Sequence, residues 1–142
     1  MRKLIDWITK TDMTDSRVSA GLLWLRITIG GFMLAFHGWG KLSSFGAKFD
    51  TFGDPLGIGS GLSLTLAVFA EFFCSIALIL GVFTRAAAIP PLIAMLVAVL
   101  LVHTNDPWNK KEFALLYAIP YMTLLLTGAG KYSLDAKLFR RG

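Results

Sequence analysis

One cysteine, two histidines and few charges set the first limits on this chain of 142 residues. A single thiol, Cys74, excludes an intrachain disulfide and a C-x-x-C redox pair, so any redox chemistry has to come from a bound cofactor or a partner. With 55% of residues hydrophobic, 16% charged and a mean hydropathy of +0.63, a domain of this size could not hide its apolar surface from water. The apolar runs lack the polar stripe of a soluble bundle and the short alternation of a membrane β-barrel. A bilayer is therefore the solvent the composition asks for.

Four apolar segments, about 19–40, 62–83, 86–103 and 112–128, approach or reach the ~17 to 25 helical residues that cross a hydrocarbon core. They predict an all-α fold: a single membrane domain, 1–142, built as a transmembrane four-helix bundle. The first segment begins late, shows no A-x-A-like cleavage site and precedes further apolar segments, so it reads as a span and not a cleaved signal. Lysine and arginine concentrate in the N-terminal tail (Arg2, Lys3, Lys10, Arg17), at Arg85 and in the C-terminal tail (Lys131, Lys137, Arg140, Arg141), against Lys41, Lys48, Lys110 and Lys111 on the other side. The positive-inside rule then puts both termini in the cytoplasm and a long first loop outside. The net charge of +5 needs no nucleic-acid partner, because basic tails beside anionic lipid account for it.

"MRKLIDWITK" mixes Leu4, Ile5, Trp7 and Ile8 with charges and reads either as a helix on the membrane surface or as a free tail. "KYSLDAKLFRR" at the other end looks similar. The loop from Lys41 to Gly61 holds too many glycines for a helix and too many phenylalanines for a free loop, so it should fold back over the outer mouth. Pro90 and Pro91 begin or kink the third helix, and Pro120 interrupts the hydrogen bonding of the fourth.

Ionisable residues inside spans cost about 2.5 to 3.5 kcal/mol each, which makes them functional candidates by default. On an ideal helix Arg26, Gly30, His37 and Lys41 share one stripe, with His37 about 4 Å and Arg26 about 21 Å from the outer end. Glu71 lies about 13 Å deep on the second helix, near Tyr121 of the fourth. Arg26 and Glu71 come within side-chain reach, so an ion pair between them is expected; the alternative is Arg26 snorkelling to the surface with Glu71 neutral. His37, His103 and Glu112 share the outer rim. The candidate polar site is therefore Arg26, His37, Lys41, Glu71, His103, Glu112 and Tyr121. Trp39 and Trp108 read as interface anchors. No metal site is expected; His37, His103 and Glu112 are weak candidates for a divalent ion, and the two histidines for axial ligands of a haem.

"GLLWLRITIGGFMLAFHGWGKL", "FAEFFCSIALILGVFTRAAAIPPLIAMLVAVLLVH" and "EFALLYAIPYMTLLLTGAGKYSLD" resemble, in that order, the DoxX family of small bacterial membrane proteins, from about Gly21 to Asp135. The resemblance implies a multi-pass protein of the bacterial inner (plasma) membrane, related to a subunit associated with quinol oxidation. Two functions from different classes follow. One is a quinone-linked redox subunit beside a membrane-associated oxidoreductase, its polar site opening to the extracytoplasmic side. The other is a non-enzymatic stabiliser, assembly partner or small-solute or lipid carrier. Whether the chain is an enzyme, and whether it forms a homo-oligomer, stay open. A glutathione-dependent membrane enzyme is disfavoured, because the polar cluster is expected on the outer side.

Overall fold

The computed structural model describes residues 15–139, and the N-terminal surface-helix segment of the sequence lies outside them. The described chain is helical and holds no strand. Helix α1 runs Ser16–Ser43, followed by the short α2, Phe45–Lys48. Helix α3 is Ser60–Leu80, α4 Thr84–Val102, α5 Trp108–Thr127 and α6 Leu134–Leu138. Of these, α1, α3 and α4 are long and apolar enough to cross a membrane.

All four long helices contribute to one core: Ile29 and Met33 from α1, Leu78 from α3, Leu92 and Met95 from α4, and Tyr121 and Leu124 from α5. Much of the remaining interior is alanine, at 87, 88, 114 and 118. The large apolar side chains point the other way: Trp24, Phe36, Phe113 and Leu126 are each about 70% exposed. Lipid is as apolar as leucine, so helices in a membrane associate through small residues that let backbones approach, while bulky residues face the acyl chains. On a water-soluble monomer an outer surface of this kind would be an association site.

Asp15 starts α1 by accepting the Arg17 amide at 2.9 Å. Helix α3 stops where Gly81 enters the left-handed region at φ 70°. A side chain there would meet the Arg26 guanidinium and the Ser133 side chain, so both backbone angle and space demand glycine. The turn occupies residues 81–83, and Thr84 and Arg85 open α4. Arg85, expected in a connection, is instead buried within the helix, its Nη2 donating to Leu126 O at 3.0 Å. Pro90 and Pro91 lie inside α4 and do not begin it, and α5 continues through Pro120.

The loop between α1 and α3 is shorter than the sequence suggested, because α1 extends to Ser43. Asp54 organises what remains: its carboxylate accepts the amides of Ile58 (3.0 Å) and Gly59 (2.7 Å) and the Ser63 hydroxyl (2.7 Å). The Phe49 ring folds back against Gly61 at the start of α3.

Three helices carry a π turn, with one residue more than an α turn: Leu34–Gly38 in α1, Phe69–Phe73 in α3 and Ala98–Val102 at the end of α4. An extra residue rotates everything after it by about 100° relative to an ideal helix. On α1 that decides which residue faces inward: Gly38 is buried and His37 lies at the surface.

Candidate functional site

The π turns of α1 and α3 touch. A Cβ on Gly38 would sit 2.6 Å from Glu71 O and 2.9 Å from Phe72 N, so the two backbones meet with no side chain between them. One turn further along α1, Lys41 Nζ reaches Glu71 Oε2 at 2.5 Å. The glutamate side chain is 8% exposed and the lysine 22%, so the carboxylate is the buried member and the ammonium closes the site from its outer side. Burying a carboxylate without a partner would cost several kcal/mol. A lysine at the end of a long flexible stem supplies the partner while keeping part of its hydration.

His37 stands at the rim of this pair. Its ring is set edge-on to Tyr117 of α5, with centroids 5.5 Å apart and planes at 84°, and it feels the charges of both Glu71 and Lys41. Deeper in, Tyr121 is fully buried and within electrostatic reach of Glu71, Tyr117 and Cys74. Trp39 and Phe72 flank the crossing, their ring centroids 6.3 Å apart. The structure thus gathers a buried carboxylate, its ammonium partner, a surface imidazole and two phenols where α1, α3 and α5 meet. A set of this kind can donate hydrogen bonds to a carbonyl-bearing ligand from His37, Tyr117 and Lys41, and can accept them at the Glu71 carboxylate.

The expected ion pair between Arg26 and Glu71 is not formed. Arg26 is fully buried and points the opposite way, donating from Nη1 to the carbonyls of Leu78 and Ile79, both at 3.2 Å, and from Nη2 to Tyr132 O at 2.6 Å. The physical reason is the end of α3. Its last carbonyls have few amides to accept from and carry the negative end of the helix dipole, so they take the donors that the Arg26 guanidinium presents in a fixed fork. Nor does Arg26 snorkel to the surface.

The C-terminal segment, expected on the membrane surface, completes this second cluster. Asp135 is buried and accepts the amides of Phe83 at 2.7 Å and Thr84 at 2.9 Å, which caps α4, while its own amide donates to Gly81 O at 2.8 Å. It also acts on Arg26 through space. Ser133 accepts the Ala136 amide at 3.1 Å and starts α6. Sequence reasoning missed Asp135 as a site residue. The available signal was the closing "GAGKYSLD", whose serine and aspartate are helix-capping types after a glycine turn.

His103 and Glu112 do not join the α1–α3 site. His103 Nδ1 is 2.6 Å from Asp106 Oδ2 within the loop after α4, and Lys110 Nζ is 3.6 Å from the same oxygen. The hydrogen bond from His103, with help from Lys110, holds the Asp106 carboxyl below its ordinary range. Glu112 is exposed. Among the described residues no group of His, Cys, Asp and Glu is placed to hold a metal ion, so His37, His103 and Glu112 are not one metal site. Trp108 is exposed, with Lys111 Nζ 5.7 Å from its ring centre.

Helices of membrane-spanning length, bulky residues outside, small ones inside and an internal ion pair define a multi-pass membrane protein. Comparison with known proteins gives the family. The DoxX family model matches residues 21–104, more than half of the chain, and the chain belongs to that family. It is 32% identical over 131 residues to an uncharacterized protein of Haemophilus influenzae, a match that takes in 84% of this chain and 92% of the relative. No solved structure matches it. The family match spans Arg26, His37, Lys41, Glu71 and His103, and stops short of Tyr117, Tyr121 and Asp135.

Proposed function

We propose that this protein is a quinone-binding subunit of a membrane redox system, built as a transmembrane four-helix bundle in the bacterial inner membrane with both termini in the cytoplasm. The site is the group around Glu71, open toward the extracytoplasmic end through His37. One observation carries the reading: the Lys41–Glu71 pair is buried among helices of membrane-spanning length, yet bordered by His37, an exposed imidazole edge-on to Tyr117.

The donor set fits a quinone headgroup. Carbonyl oxygens need donors near the membrane surface, which the imidazole, the phenol and the ammonium provide, and the exposed Phe32 and Phe36 beside His37 give an isoprenoid tail an apolar track. When bound, a quinone supplies coupled electron and proton transfer. The chain's own part is to orient the headgroup, to hold a proton at the Glu71 carboxylate and to keep water away from the apolar side. Its lone cysteine is buried, so electrons have to pass to a partner protein.

The full chain in detergent micelles, titrated with a short-tailed benzoquinone and a short-tailed naphthoquinone, should show saturable quenching of tryptophan fluorescence, with Trp39 the nearest reporter. His37→Ala and Glu71→Gln should each weaken binding about tenfold to a hundredfold, the value of a charge-assisted hydrogen bond. No saturable quenching by either quinone would overturn this reading. Recovery of a stoichiometric membrane partner under those same conditions would favour the assembly role instead.

A further inference from the structure

Three hydroxyls in the core, those of Ser75, Thr84 and Tyr121, have no hydrogen-bond partner among the described residues, and two of them belong to residues near Glu71. Tyr121 Oη is on α5 and Ser75 Oγ one turn beyond Glu71 on α3; both residues are 0% exposed. Leaving such a group unpaired costs about 1–3 kcal/mol, more than a membrane helix would bear twice in one place without return. A serine in a helix ordinarily turns its hydroxyl back to the carbonyl four residues earlier. Here that carbonyl belongs to Glu71, lies in the π turn and is pressed against Gly38, and Ser75 makes no such bond. The Glu71 carboxylate also has capacity to spare. Lys41 takes Oε2, and Oε1 accepts no hydrogen bond among the described residues.

We propose that Tyr121, Ser75 and Glu71 enclose a water-binding site on the inner side of the Lys41–Glu71 pair. One or two ordered waters there accept from the Tyr121 and Ser75 hydroxyls and donate to Glu71 Oε1, which gives the carboxylate a second set of donors besides Lys41. Buried water of this kind typically makes about three hydrogen bonds, and the residues present supply that number. The consequence is a place for a proton to move inward from Glu71, away from the His37 rim. The proposal does not depend on quinone binding.

The groups that bear on Glu71 are few. Lys41 and His37 bear on it from α1 and Tyr121 from α5, and Cys74 is three residues along α3. Helix α4 has one titratable residue, Arg85, which is bonded to Leu126 O at the far end.

The test is a structure of the full chain in lipid without quinone, at a resolution that shows ordered water. Density for water within hydrogen-bond distance of Tyr121 Oη and Glu71 Oε1 is expected in the native chain. Tyr121→Phe keeps the ring and removes only the hydroxyl, and it should lose that water; Ser75→Ala should weaken it. If Tyr121→Phe does not fold, Ser75→Ala carries the test alone. A native site with no water overturns the proposal, as does water that stays unchanged in the folded variants. Greater stability of Tyr121→Phe with no water in the native chain would show that the hydroxyl is simply unpaired in the core.

Discussion

Replacing Gly38 with alanine should damage the protein far more than the same change at Gly31 or Gly40 of the same helix. Gly38 is helical at φ −67°, so alanine suits its backbone, and the effect is purely one of space. The new methyl would lie 2.6 Å from Glu71 O, whereas ordinary contact begins at 3.4 Å. Backbone atoms cannot rotate aside, so α1 and α3 must move apart by the difference, about 0.8 Å. Overpacking of this kind costs about 1–3 kcal/mol, and a backbone obstacle puts Gly38→Ala in the upper half of that range. Part of the displacement also reaches the 2.5 Å contact between Lys41 and Glu71, one turn on. Alanine gains up to about 1 kcal/mol of helix propensity over glycine, so the fair reference is another glycine of the same helix. Gly31 and Gly40 serve, since a Cβ at either meets nothing within 4 Å. In reversible unfolding by sodium dodecyl sulfate in mixed micelles, Gly31→Ala and Gly40→Ala should match or exceed the native chain, and Gly38→Ala should fall below them by about 2–3 kcal/mol. Coincident curves for the three variants would refute the close crossing of α1 and α3.

In the same assay, Lys41→Met should destabilise by up to about 3 kcal/mol, because it strands the Glu71 carboxylate, and the double variant with Glu71→Gln should regain much of the loss; a double variant no better than the single one would show that the pair is not coupled. Asp135→Ala should cost about 1–3 kcal/mol by uncapping the Phe83 and Thr84 amides, and Asp135→Asn less, since an amide oxygen still accepts. The Asp106 carboxyl is held below its ordinary value of 3.8, first by the His103 hydrogen bond, so its contribution is fully present above that value and is lost as pH falls through the lower folded-state one. Hydrogen exchange of residues 103–111 should therefore quicken as pH falls below 3.8, after allowance for its intrinsic pH dependence, and Asp106→Asn should remove that step.

Long apolar runs were legible because a span needs only length and composition, and those are local properties. The four predicted segments each fall on a long helix, and α1, α3 and α4 have the length and hydropathy of spans. The candidate residues were legible as a set for the same reason: an ionisable side chain within an apolar run is conspicuous wherever it ends up. Their partners were not. The reading paired Arg26 with Glu71 by depth, and the fold gave Arg26 to the carbonyls ending α3 and Glu71 to Lys41.

By itself the sequence determined a helical membrane protein with a few costly polar groups on identifiable helices, because bilayer thickness and backbone hydrogen bonding leave a chain of this composition little choice. Only the tertiary structure decided which of those groups meet. A π turn in α1 rotates His37 outward and Gly38 inward, a shift of one residue that an ideal-helix projection does not register. The C-terminal segment supplies Tyr132 and Asp135 to a cluster more than a hundred positions from Arg26 in the chain. Pairings of that kind depend on the separation of helix ends in space, which is set by packing and not by the composition of either segment.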